Sequence, residues 1–132
     1  MQAQVLNLLA DLKTRLSLTY LFISHDLAVV EAVSGRIAVL YFGSVVETGP
    51  AEKVFAAPRH PYTRLLAESA PVVGRPLGGA QTGELPDPMN PPPGCAFAGR
   101  CPRASDLCLR DVPRLRAMEG EQFAACHHSL DP

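Results

Sequence analysis

Four cysteines, Cys95, Cys101, Cys108 and Cys126, lie inside residues 95–132 with the spacing Cys-x5-Cys-x6-Cys-x17-Cys. The segment is rich in proline and lacks hydrophobic periodicity, so four thiols there point to a cross-link that supplies folding energy the core cannot. Two disulfides, a zinc site with four thiolate ligands and an iron–sulfur cluster are the competing cross-links, and unligated cysteines are the remaining reading. A reducing compartment disfavours the disulfides. Zinc sites commonly take thiolates in pairs two to four residues apart, and no such pair occurs here. A four-iron four-sulfur cluster also takes four thiolates, with irons far enough apart to suit ligands spread along a loop, although the spacing differs from ferredoxin patterns. His127, next to Cys126, is a candidate replacement ligand. Arg100, Arg103 and Arg110 flank the ligands and would offset an anionic cluster, or are simply solvated loop arginines.

The second candidate is His25, in Ser24-His25-Asp26. At the carboxyl end of a buried parallel strand, a histidine can donate a hydrogen bond to a phosphate oxygen, though such a residue is more often a structural hydrogen-bonder. His60, before Pro61, reads equally as a helix cap, and His127-His128 as a solvated pair.

These residues need elements to position them. Val5, Leu8, Leu9, Leu12 and Leu16 form the stripe of an amphipathic helix over residues 3–16, with one buried face. Leu18–Ile23 predicts a parallel strand apolar on both faces. Asp26 predicts the N-cap of a helix through Leu27, Val30 and Val33 to Gly35. Ile37–Tyr41 and Ser44–Glu47, broken by Phe42-Gly43, predict a hairpin. Pro50 and Pro61 are placed to open helices in their first turns, the second reaching Ala70. Residues 71–94 are dense in Pro and Gly and predict an extended spacer.

The chain has 132 residues, 47% hydrophobic and 19% charged, with a net charge of −1. That composition is too apolar for disorder and too balanced for an electrostatic nucleic-acid binder, so nucleic acid is excluded as a partner. No run of 18 apolar residues occurs and the N-terminus lacks a basic n-region, which predicts a cytosolic chain. Only Pro50 precedes residue 58, whereas twelve prolines and all the cysteines follow it. The predicted division is therefore 1–57, an α/β layer; 58–94, a helix and Pro/Gly-rich linker; and 95–132, a small irregular four-cysteine module.

The runs Gln2-Ala3-Gln4-Val5-Leu6-Asn7-Leu8-Leu9 and Leu18-Thr19-Tyr20-Leu21-Phe22-Ile23-Ser24-His25-Asp26-Leu27-Ala28-Val29-Val30 resemble the end of the nucleotide-binding subunit of bacterial oligopeptide/dipeptide ABC importers. Gly49-Pro50, His60-Pro61-Tyr62-Thr63-Arg64-Leu65-Leu66, Gly94-Cys95, Arg100-Cys101-Pro102, Cys108 and Ala125-Cys126-His127 resemble the C-terminal extension of that family. The resemblance implies an incomplete C-terminal part of an ABC-type nucleotide-binding domain followed by the cysteine module. It implies that His25 is the switch histidine, contacting the γ-phosphate of ATP bound with Mg and acting in hydrolysis. It also implies that Cys95, Cys101, Cys108 and Cys126 hold a 4Fe-4S cluster, with zinc as the alternative. The implied partners are a second ATP-binding subunit, transmembrane permease subunits and a peptide delivered by an extracytoplasmic binding protein, at the inner face of the cell membrane. The chain has no G-x-x-x-x-G-K-[ST] loop, no signature motif and no acidic strand end for magnesium, so the expectation is a C-terminal piece that does not hydrolyse ATP alone. A stand-alone cluster- or zinc-binding interaction module without ATPase activity is the rival expectation.

Overall fold

The computed structural model describes residues 2–70 and 83–131. In chain order the elements are α1 (Gln2–Leu16), α2 (Leu27–Val33), β1 (Arg36–Tyr41), β2 (Ser44–Pro50), α3 (Ala51–Ala56), α4 (Pro61–Ser69), a 3-10 turn (Ala98–Arg100), α5 (Asp106–Arg110), β3 (Arg116–Ala117), a second 3-10 turn (Glu119–Glu121) and β4 (Phe123–Ala124). This is a mixed helix-and-sheet fold. Among the described residues, no helix is long and apolar enough to cross a membrane.

Local chemistry explains most boundaries. Asp26 caps α2 as predicted, its Oδ1 accepting from the amides of Ala28 at 3.0 Å and Val29 at 3.3 Å. The helix stops at Val33, two residues before Gly35. The β1–β2 turn places Phe42 at φ 51° and Gly43 at φ 76°, the left-handed pair that matches the twist of a two-residue hairpin. Pro50 ends β2 and caps α3 from outside instead of sitting in its first turn. Pro61 does open α4, behind His60 as N-cap.

The four strands pair antiparallel in the order β1-β2-β4-β3. β4 therefore joins the cysteine-bearing segment to the first half: Glu47 lies opposite Ala124, Thr48 opposite Phe123, and the Ala125 amide donates to the Val46 carbonyl at 2.8 Å. Two apolar clusters form. One packs Ile37, Ala51 and Val54 with Val30, Val39 and Phe55. The other packs Tyr41, Val46 and Phe97 with Tyr62, Leu65, Cys95 and Cys101, so the hairpin, α4 and the first two cysteines share a core.

Three expectations are corrected. Leu18–Ile23 forms no strand, and Leu21 and Ile23 are almost fully exposed. A strand needs a ladder partner, and among the described residues every strand belongs to the antiparallel sheet formed by β1 to β4. Helix α1 forms as expected, but its stripe is not buried: Val5, Leu8 and Leu16 are all more than half exposed. The sheet that does form is antiparallel: short connections join β1 to β2 and β3 to β4, and β4 returns from far along the chain to pair with β2. Of the expected spacer, residues 71–82 lie outside the described residues. Residues 83–94 are irregular, with an Asx turn in which the Met89 amide donates to Asp87 Oδ1 at 2.9 Å.

Candidate functional site

The four cysteines reach one place from four different segments. Cys95 precedes the 3-10 turn, and its amide donates to the Cys108 carbonyl at 2.7 Å, drawing the loop onto α5. Gly94 permits that approach, since a Cβ there would stand 2.6 Å from the Leu109 carbonyl carbon and 2.7 Å from its oxygen. Cys101 closes the 3-10 turn, its amide donating to the Ala98 carbonyl at 3.3 Å. Cys108 is on α5. Cys126 follows β4, with its carbonyl accepting from Arg116 Nη2 at 2.8 Å.

All four are free thiols. They line one small cavity of about 10 Å³, together with His60, Phe97, Arg103, His127 and His128. That is room for about one water molecule. Burial, first of all, pushes the Cys95, Cys101 and Cys126 thiols above the ordinary range. Each of the six cysteine pairs adds repulsion between the developing thiolates. Backbone amides oppose this: Phe97 and Ala98 at Cys95, Arg103 at Cys101 and His128 at Cys126. Three sulfurs thus have an amide two residues ahead turned toward them, the arrangement that stabilises sulfur once it is anionic. The Arg103 guanidinium acts in the same direction on Cys101.

The fit to a metal group follows from this donor set. Four soft sulfurs that repel one another as thiolates call for cationic charge between them. Among the described residues, however, no group of three or more His, Cys, Asp or Glu side chains is arranged to hold a single metal ion. The donors are gathered, but not on one ion-sized point.

The neighbouring histidines do different work. His127 Nε2 is paired with the Asp111 carbonyl at 2.8 Å. His128 Nε2 lies 2.7 Å from Ser105 Oγ, which is 3.6 Å from Cys108 Sγ, so a hydroxyl links one histidine to a cysteine. His60 is the α4 cap that its sequence allowed, with Nδ1 accepting from the Tyr62 amide at 3.0 Å. Burial lowers its pKa to about 4.

His60 is held by a residue the sequence left unmarked. Glu47 on β2 is fully buried. Its Oε1 accepts from the Arg59 amide at 2.8 Å and its Oε2 from the His60 amide at 2.9 Å. Gln122 Nε2 reaches Glu47 Oε1 at 3.4 Å and donates to the Ala57 carbonyl at 3.0 Å. A carboxylate alternating into the core of a strand ending in Thr-Gly-Pro was the available signal. Of the flanking arginines, Arg103 lines the cavity, and Arg110 is exposed.

His25 stands apart from all of this. It sits on an exposed bend before α2 and is not among the residues lining the cysteine cavity.

Residues 46–108, which carry most of β2, all of α4 and three of the four cysteines, match the family described as oligopeptide/dipeptide transporter, C-terminal region. The match over those residues covers just under half of the chain. Beyond them, the chain is 52% identical over 130 residues to a protein of Brucella abortus (strain 2308) provisionally named a peptide import ATP-binding protein, covering 96% of this chain and 38% of that one. A protein of the same description in Brucella melitensis is 52% identical, with 96% and 34% covered, and one in Brucella ovis is 50% identical, with 95% and 40% covered. The chain thus spans little more than a third of the length of the curated relatives it matches.

Proposed function

We propose that this chain supplies the C-terminal part of an ATP-binding subunit that energises peptide import. The observation that carries the reading is the 52% identity to the Brucella abortus protein across 96% of the chain. In that setting His25 contacts the γ-phosphate of ATP bound with Mg, and its exposed imidazole is a donor suited to a phosphate oxygen. The phosphate loop and magnesium carboxylates are outside this sequence, so hydrolysis is a property of the larger subunit. That subunit works with a second ATP-binding subunit and with transmembrane permease subunits at the inner face of the membrane, and an extracytoplasmic binding protein presents the peptide.

Cys95, Cys101, Cys108 and Cys126 hold a four-iron four-sulfur cluster in this reading. An all-sulfur donor set with amides turned toward three sulfurs supports it. When bound, such a group supplies a one-electron centre and a cross-link for a proline-rich segment.

The test joins this chain to the upstream part of the Brucella abortus relative. The chimera should hydrolyse Mg-ATP, and His25→Ala should slow turnover by orders of magnitude while ATP binding persists. Lost affinity with unchanged turnover contradicts the role of His25. The same protein purified anaerobically should be brown, with iron and sulfide in near-equal amounts, whereas one equivalent of zinc without iron replaces the cluster by zinc.

A further inference from the structure

Three histidines line the cysteine cavity, and they differ in what their ring nitrogens do. His127 and His128 each have Nε2 paired, with the Asp111 carbonyl and with Ser105 Oγ. His60 is 1% exposed, and its Nε2 is buried without a hydrogen-bond partner. Its other nitrogen is committed: Nδ1 accepts from the Tyr62 amide. A backbone amide can only donate, so Nδ1 carries no proton while that bond holds, and a neutral ring must carry its proton on Nε2. The tautomer is set by the helix cap. What remains is a buried N–H, on the edge of the ring turned away from the cap, in a side chain that lines the same cavity as the four cysteines.

A buried donor without an acceptor carries the full penalty of desolvation, and such groups are rare in folded proteins. Its main chain is held as well, the His60 amide donating to Glu47 Oε2 at 2.9 Å. Direct metal ligation by Nε2 would require moving the proton to Nδ1 and breaking the cap, so the ring is arranged to donate and not to ligate. We infer that His60 donates a hydrogen bond from Nε2 to a sulfur of the group held by Cys95, Cys101, Cys108 and Cys126. The inference rests on the four-cysteine reading above. Its effect is positioning and tuning: a neutral donor at sulfur favours the more anionic, reduced state.

The test uses the full chain, reconstituted anaerobically with ferrous iron and sulfide, and His60→Asn. Asparagine is among the best N-caps, so the variant keeps an acceptor for the Tyr62 amide and loses the ring N–H. It should take up the same iron and sulfide as the wild type. Its one-electron reduction equilibrium against dithionite should shift at least about tenfold toward the oxidised form, ~59 mV more negative. Equal iron with an unchanged potential overturns the inference and leaves the cluster standing. A wild-type readout is independent of how the variant folds: long-range proton–nitrogen NMR on the metal-free chain at pH 7 should show His60 protonated at Nε2, and an Nδ1–H tautomer overturns the inference. If zinc is taken up in place of iron, the Nε2–H resonance should shift on loading, and no shift overturns it. A wild-type chain that takes up neither metal overturns the four-cysteine reading itself, an outcome separate from all the others.

Discussion

Truncating Glu47 should unlock the junction between the β1–β2 hairpin, the segment entering α4 and the C-terminal strand. Its carboxylate is fully buried and accepts from the amides of Arg59 at 2.8 Å and His60 at 2.9 Å, with Gln122 Nε2 nearby. Glu47→Ala leaves two buried donors without acceptors. Each costs about 1–3 kcal/mol, so the expected loss is roughly 2–6 kcal/mol, a large fraction of the stability of a domain this size. Glu47→Gln is the graded control. Its carbonyl oxygen keeps one amide satisfied while its NH2 faces the other, for a loss of about 1–3 kcal/mol. Urea unfolding of the metal-free chain, followed by far-UV circular dichroism, gives both values as shifts in midpoint at constant slope. The expected order is wild type, then Gln, then Ala. If Glu47→Gln unfolds within about 0.5 kcal/mol of wild type, the size expected of an ordinary surface change, the carboxylate is not the fastener described here.

Gly94→Ala should push the Cys95 loop off α5, because the new Cβ meets the Leu109 carbonyl group at 2.6–2.7 Å. A destabilisation of about 1–3 kcal/mol, with reduced iron uptake, is expected from melts and metal analysis, and an unchanged melt contradicts it. Cys108→Ser should cost the bound metal and leave the tail open to protease, whereas His127→Ala should not, since its ring is engaged with the Asp111 carbonyl. Metal content and limited proteolysis check both, and iron retained in Cys108→Ser reassigns that ligand. For pH, the His60 pKa is lowered from 6.5 to about 4 by burial. The unfolded chain therefore binds a proton at His60 that the folded one refuses across this window. Stability from this residue is full above about pH 6.5 and is lost as pH falls toward 4, by up to about 3 kcal/mol at 1.36 kcal/mol per pKa unit. Metal-free wild type should lose stability relative to His60→Asn over that range, and parallel pH profiles for the two would show that His60 titrates normally.

Local rules wrote the parts of this molecule that depend on neighbours in the chain. Asp26 before an apolar run, Pro61 behind a capping residue, and Phe42-Gly43 between alternating strands each fix a helix start or a turn with a few adjacent groups, and all were legible in the sequence. The type and crowding of the cysteines marked them as a donor set, and the chain order of its motifs pointed to the transporter family. Long-range partners were not legible. Leu18–Ile23 has the composition of a strand but no ladder partner among the described residues, and composition cannot supply one. That β4 would pair with β2, carrying Cys126 to the same cavity as Cys95, depends on contacts across more than seventy residues. Glu47 looked like any strand carboxylate until the amides of Arg59 and His60 came within 3 Å of it. Its role, the free Nε2 of His60 and the gathering of four thiols all arise from distances that only tertiary packing sets.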